Sequence, residues 1–169
     1  MMDESDLQAE LERTHEAAWG WALSCCVGTE LDGRDVLQAA YLKVLQGRAK
    51  FGGRSQFRTW LFGVIRLTAL ELGRKAWFAR WFVTEHATRL EPLPVKPPGI
   101  DADTVELLRA KLCELPARQR EVMHLVFYQD LSLSETAEVM GVSVGSVRQH
   151  YERAKRRLRE NVKPMLVAT

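Results

Sequence analysis

Between Ser143 and Leu158 the chain reads SVGSVRQHYERAKRRL, which places Arg148, Gln149 and Glu152 along one side of a helix, within its first turns. These residue types match the edges of base pairs. A guanidinium can pair bidentately with guanine, a carboxamide with adenine, and a carboxylate can accept from the amino group of cytosine. Ser146 stands in the same opening turns. Arg153, Lys155, Arg156, Arg157 and Arg159 lie further along, out of reach of base edges, and their chemistry suits backbone phosphates. Val147, Ala154 and Leu158, at spacings of seven and four, form the stripe expected to be buried. Such a helix would lie in the major groove of duplex DNA.

A helix reads DNA only if something holds it there. Ser132-Leu-Ser-Glu135 has the pattern of a capping box, with the hydroxyl offered to an amide three residues on and the carboxylate reaching back, so a short helix is expected through Met140. Gly141 can take the left-handed conformation that ends it, and Ser143 can cap the next helix, which runs to about Asn161. A short helix, a tight turn and a longer basic helix make a helix-turn-helix. Upstream of it, Val105, Leu108 and Leu112 mark one helix ending before Leu115-Pro116, and Val122, Leu125 and Val126 mark another.

The first half is also helical by period. Leu7, Leu11, Ala18, Ala22 and Cys25 recur at helical spacing, as do Val36/Leu37, Ala40/Tyr41 and Val44/Leu45. After the turn-like FGGRS, where Ser55 suits an N-cap, Phe57, Trp60, Leu61, Val64, Ile65 and Thr68 form a third run. Residues 84–103 hold four of the six prolines and no apolar period, and read as an extended linker. The expected fold is all-α: one small helical domain at 5–83, a flexible linker at 84–103 and a helix-turn-helix domain at 104–163.

Charge is distributed along the chain in a way that the net value of +2 hides. Residues 1–35 carry nine acids and two bases; residues 43–82 carry nine bases against Glu71 alone; residues 148–159 carry six bases against Glu152. Two basic blocks suit two contacts with a polyanion, because neutralising phosphates releases counterions. WFARWF, residues 77–82, interleaves aromatics with Arg80, and its aromatics are expected mainly to close the first domain's core.

Other chemistries lack their residues. There is no GxSxG, HExxH, GxxxxGK[ST] or GxGxxG, so catalysis is not expected. The four histidines are scattered, and Cys25, Cys26 and Cys113 form no metal-ligand cluster, so neither metal nor cofactor is expected and the cysteines read as reduced packing residues. No apolar run is long enough to cross a bilayer and the acidic start lacks the features of a signal peptide, which predicts a cytoplasmic protein without membrane insertion.

From Leu115 onward, LPARQREVMHLVFYQDLSLSETAEVMGVSVGSVRQHYERAKRRLRE closely resembles domain 4 of bacterial RNA polymerase sigma factors. DVLQAAYLKVL followed by FGGRSQFRTWLFGVIR resembles sigma domain 2, and the absence of further sigma regions points to the extracytoplasmic-function (ECF) subgroup of the sigma-70 family. The resemblance implies a factor that binds core RNA polymerase and directs it to promoters. Domain 4 would read the −35 element and touch the β flap, and domain 2 would bind the β′ clamp helices and melt the −10 element. An anti-sigma factor is the regulatory partner the family implies.

By position, Asp35, Gln38, Tyr41 and Leu42 would face polymerase. Phe51 would hold a flipped base, with Phe57 and Trp60 at the start of the melting helix and Arg54, Arg66, Leu67, Arg74 and Lys75 beside the DNA. Basic neighbours would track the backbone while an aromatic stacks the base. Leu67 replaces the family's usual Asn, Glu71 its Asp, Ala39 the Glu after Gln38, and His150 a frequent Arg. Leu67 can neither donate nor accept, so an unusual promoter preference is expected. Two other readings fit parts of the pattern: a sigma mimic that binds polymerase or an anti-sigma factor without melting promoters, and a freestanding helix-turn-helix regulator.

Overall fold

The computed structural model describes residues 3–80 and 110–166, with the backbone alone for Glu4, residues 77–80 and residues 161–166. Among these residues every regular element is a helix. They belong to two compact units, one built on the first three helices, with which Glu138–Gly141 is grouped, and one on the rest of the chain after residue 110. The proline-rich stretch 84–103, Trp81 and Phe82, and the side chains of Trp77 and Phe78 lie outside the described residues.

Helix α1, Glu4–Cys26, starts where the Asp3 carboxylate accepts the amide of Asp6 at 2.8 Å, satisfying one of the orphan donors of the first turn. It buries Leu11, Ala18, Trp21, Ala22 and Cys26. Trp21 belongs to this stripe although the apolar spacing did not single it out, and it centres the face so that Cys26 is buried while Cys25 is only half-buried. Its indole N–H donates to the Phe62 carbonyl at 3.0 Å, which satisfies a polar atom that would otherwise be stranded in the core.

Helix α2, Gly33–Leu45, is capped by Asp32, whose Oδ1 accepts from the Arg34 amide at 2.7 Å. Gly33 lets it approach α1: a Cβ there would fall 2.8 Å from Leu23 Cδ2. Helix α3, Phe57–Arg80, begins two residues after Ser55, so Gln56 rather than Ser55 precedes it, and the Gln56 carbonyl takes the amide of Trp60 at 3.1 Å. Phe57, Leu61, Phe62, Ile65 and Ala69 are its buried side, and the three helices pack against one another pairwise.

In the second unit, residues 110–113 are helical and turn at Glu114, as expected before Leu115-Pro116. Arg120 Nη1 donates to the carbonyls of Cys113 at 3.3 Å and Leu115 at 3.1 Å, closing that helix end. Helix α4, Ala117–Met123, does not continue through Val126; it widens into a π-turn at His124–Tyr128. The wider turn sets Gln129 beside His124, five residues back, with Nε2 to Nε2 at 3.2 Å and both side chains buried. Helix α5, Leu133–Met140, and helix α6, Val144–Leu166, follow in chain order. Helix α6 continues five residues beyond Asn161. Leu115, Met123 and Ala154 form a core on which Leu112, Tyr151 and Leu158 close, so α4 supports α6 from behind. Cys113 is exposed, which corrects its expected packing role, because it sits at the open end of the 110–113 segment.

Candidate nucleic-acid interface

The helix-turn-helix is fixed by its caps. The Glu135 amide donates to Ser132 Oγ at 3.2 Å, while the Ser132 amide and hydroxyl donate to Glu135 Oε2 at 2.9 and 2.7 Å. This is the reciprocal pattern of a capping box, which satisfies two orphan donors at once. Gly141 has φ +65°, the left-handed region open to glycine, and it turns the chain out of α5. Ser143 Oγ then accepts the Ser146 amide at 3.1 Å and starts α6.

On α6, Val147 and Ala154 are fully buried and Leu158 is half-buried, as their spacing requires. With that stripe turned inward, Arg148, Gln149, Glu152, Arg153 and Arg156 are all exposed on the outer side. Ser146 is placed differently: its hydroxyl lies 2.9 Å from Ser143 Oγ and is engaged in the cap. Lys155 is half-buried, with Nζ 3.6 Å from Glu152 Oε1 and 4.8 Å from the centre of the Tyr151 ring. Tyr151 in turn stacks on Phe127, ring centres 6.0 Å apart. Behind the helix, burial pushes the His124 imidazole down to about 4, so it packs as a neutral group.

The first unit carries a second cluster. Phe51, Phe57 and Trp60 form an aromatic triangle with ring centres 5.3 to 5.4 Å apart. Phe57 is buried and closes the core, while Phe51 and Trp60 are half-buried against it. Beside the triangle lies a pocket of about 610 Å³ lined by Phe51, Phe57, Gln56 and Arg58 and, from α1, by Glu10, Arg13, Thr14 and Ala17. The α1 residues were not legible as site residues, because they sit far from the loop in sequence and look like an ordinary polar helix face. Arg54, Arg74 and Lys75 are exposed, and Leu67 is 56% exposed. Arg66 departs from expectation. It is 4% exposed, because at helical period it falls between Phe62 and Ala69 on the inward side of α3, so its guanidinium is not presented to a strand.

A third feature lies on α2. Asp35, Gln38 and Leu42 are exposed and Tyr41 half-buried, along one side of the helix. Gln38, Tyr41, Leu42 and Leu45 line a mainly apolar groove of about 550 Å³ whose opposite wall is His15 and Trp19 of α1. His15 Nδ1 lies 3.2 Å from the Tyr41 hydroxyl, and burial pushes that phenol up to about 12. His15 and Trp19 were missed in the sequence, although their spacing of four puts them on one face. Lys43 Nζ joins α2 to α3, donating to Thr68 Oγ1 at 3.1 Å and Glu71 Oε2 at 2.6 Å. Among the described residues no group of His, Cys, Asp and Glu is placed to hold a metal, and no helix is long and apolar enough to cross a membrane.

Comparison with known proteins places both units. Residues 11–79 match Sigma-70 region 2 and residues 112–160 match Sigma-70, region 4. The chain is 29% identical over 132 residues to the RNA polymerase sigma factor YlaC of Bacillus subtilis, covering 76% of each chain. It is 30% identical over 132 residues to the ECF RNA polymerase sigma factor SigM of Mycobacterium tuberculosis, covering 77% of this chain and 64% of that one. Among solved structures, the sigma factor RpoE of Bartonella quintana, in complex with the anti-sigma factor NepR, shares the fold with a TM-score of 0.69 at 22% identity, covering 94% of this chain and 97% of its own.

Proposed function

Because the chain belongs to the sigma-70 family of RNA polymerase sigma factors, within the ECF subgroup, we propose that it initiates transcription through three surfaces: the groove of α2, the aromatic corner after it, and the outer side of α6. In this reading Asp35, Gln38, Tyr41 and Leu42 dock on the β′ clamp helices, and the groove they border takes up apolar side chains of that partner. Phe51 and Trp60 stack an unpaired base of the −10 element, with Arg54, Arg74 and Lys75 along the strand and Leu67 reading shape by apolar contact. Arg148, Gln149 and Glu152 enter the major groove at the −35 element, with Arg153, Lys155 and Arg156 on flanking phosphates. The second domain, 104–163, also touches the β flap. The protein acts in the cytoplasm, without catalysis or cofactor, and is held in check by an anti-sigma factor.

The observation that carries this reading is the arrangement of α6, where Val147 and Ala154 are fully buried and Arg148, Gln149 and Glu152 stand exposed in the opening turns. A solvated basic helix would need no capped turn ahead of it and no ordering of base-reading types before phosphate-reading ones. Run-off transcription with purified core RNA polymerase on a genomic fragment library tests it. Discrete starts that depend on the added protein are expected. Polymerase binding without starts would indicate a mimic, and specific duplex binding without polymerase a freestanding regulator.

A further inference from the structure

The pocket beside Phe51 has two unlike walls. One is aromatic, from Phe51 and Phe57; the other is the side of α1 that carries Glu10 and Arg13. These two form an ion pair one turn apart, with Arg13 69% and Glu10 29% exposed at the side chain. Thr14 adds little to the polar wall as a donor, because its hydroxyl is already given to the Glu10 carbonyl at 2.7 Å. A carboxylate has several lone-pair sites and a guanidinium five N–H groups, so the pair retains an acceptor and donors after binding one another. Exposed pairs of this kind contribute little stability, so both side chains can turn to a ligand at small cost.

From this geometry we infer that Glu10 and Arg13 are specificity-determining residues that read the edge of the unpaired base stacked at Phe51. The inference rests on the proposed function and deepens it. An acceptor beside a donor matches a base whose exocyclic amino group adjoins a ring-nitrogen acceptor, which is the Watson–Crick edge of cytosine or adenine. Glu10 accepts from the amino group, and Arg13 donates to the ring nitrogen. Thymine held in the same register would set its carbonyl against the carboxylate and its ring N–H against the guanidinium, leaving both unpaired.

The test uses the full chain bound to core RNA polymerase and forked promoter DNA, with each position of the exposed strand occupied in turn by cytosine, adenine, guanine, thymine or an abasic site. At one position, thymine is expected to bind about tenfold more weakly than cytosine or adenine, in keeping with the discrimination of a good base contact. Glu10→Gln should shrink that ratio severalfold without abolishing it, because a carboxamide can donate to the thymine carbonyl as well as accept, while Arg13 still faces the thymine ring N–H. Preferences at the other positions should be unchanged. Arg13→Met, at an exposed site whose loss cannot empty the core, should reduce the same ratio. If the wild type shows the thymine penalty and both variants retain it, the assignment to α1 is wrong while the proposed function stands. If the wild type forms no promoter-specific complex with polymerase at all, both fail together.

Discussion

Arg148 and Lys155 stand on the same helix seven residues apart, yet their surroundings suit them to different work. Arg148 is exposed in the second turn, whereas Lys155 is half-buried, paired with Glu152 and resting over Tyr151. Arg148→Ala should therefore weaken binding by about 1–3 kcal/mol and relax preference at one promoter position. Lys155→Ala should weaken all sequences alike and lower the slope of log affinity against log salt by about one, less any part already offset by Glu152. Binding isotherms on a set of single-base promoter variants at several salt concentrations separate the two, and equal losses on every sequence for both variants would remove the distinction. A different residue makes its own contribution to acid stability. His124 is buried with its folded value pushed to about 4, below the ordinary value of 6.5. Between these two values the unfolded chain binds a proton that the folded chain does not, so stability is whole above about pH 6.5 and declines as pH falls toward 4. Amide exchange at Leu125, corrected for intrinsic rates, should show less protection at pH 5 than at pH 7. His124→Gln should flatten that difference, and an unchanged pH response in the variant would assign it to other groups.

At the scale of elements, the capping chemistry of the helix-turn-helix was the most legible part of the chain. Ser132, Glu135, Gly141 and Ser143 each act in the structure as their types and spacing predict, because caps are local and need only a few residues to specify. Ser132→Ala should accordingly cost about 1 kcal/mol of stability in the helix-turn-helix, seen as a lower denaturation midpoint with an unchanged slope. A larger fall accompanied by a changed slope would mean that the whole unit, and not the cap, had been altered. Features set by distant contacts were not legible. The π-turn at His124–Tyr128 depends on the buried contact between His124 and Gln129, and period alone reads straight through it as α-helix. Arg66 looked like one more base in a basic block until Phe62, Ile65 and Ala69 fixed which side of α3 is buried. The pocket wall from α1 and the groove residues His15 and Trp19 belong to the same class, since pairing of α1 with α2 and α3 brings them to residues more than twenty positions away. Glu10 and Arg13 were therefore invisible to spacing, although the aromatic side of their pocket was visible in FGGRSQF.

For the whole molecule, the division into two units makes the connection between them a functional variable. In the proposed function each unit would offer its own partner surfaces, so binding by one would raise the effective concentration of the other, with a gain that depends on the length of chain between them. In this reading the twenty residues 84–103, with four prolines, are the linker that would set that length. Doubling the stretch with a twenty-residue Gly/Ser insertion should lower the effective concentration by about threefold, following the roughly −3/2 power of length. Run-off transcription at limiting protein should fall by a similar factor and recover when more protein is added. Cutting the chain within the same stretch should have a far larger effect, since the second contact then becomes bimolecular and must be made at bulk concentration. Complete loss of transcription on insertion, with no recovery at high concentration, would mean that the stretch fixes the geometry of the two contacts rather than tethering them, and the mechanism would then have to be rebuilt around a rigid joint.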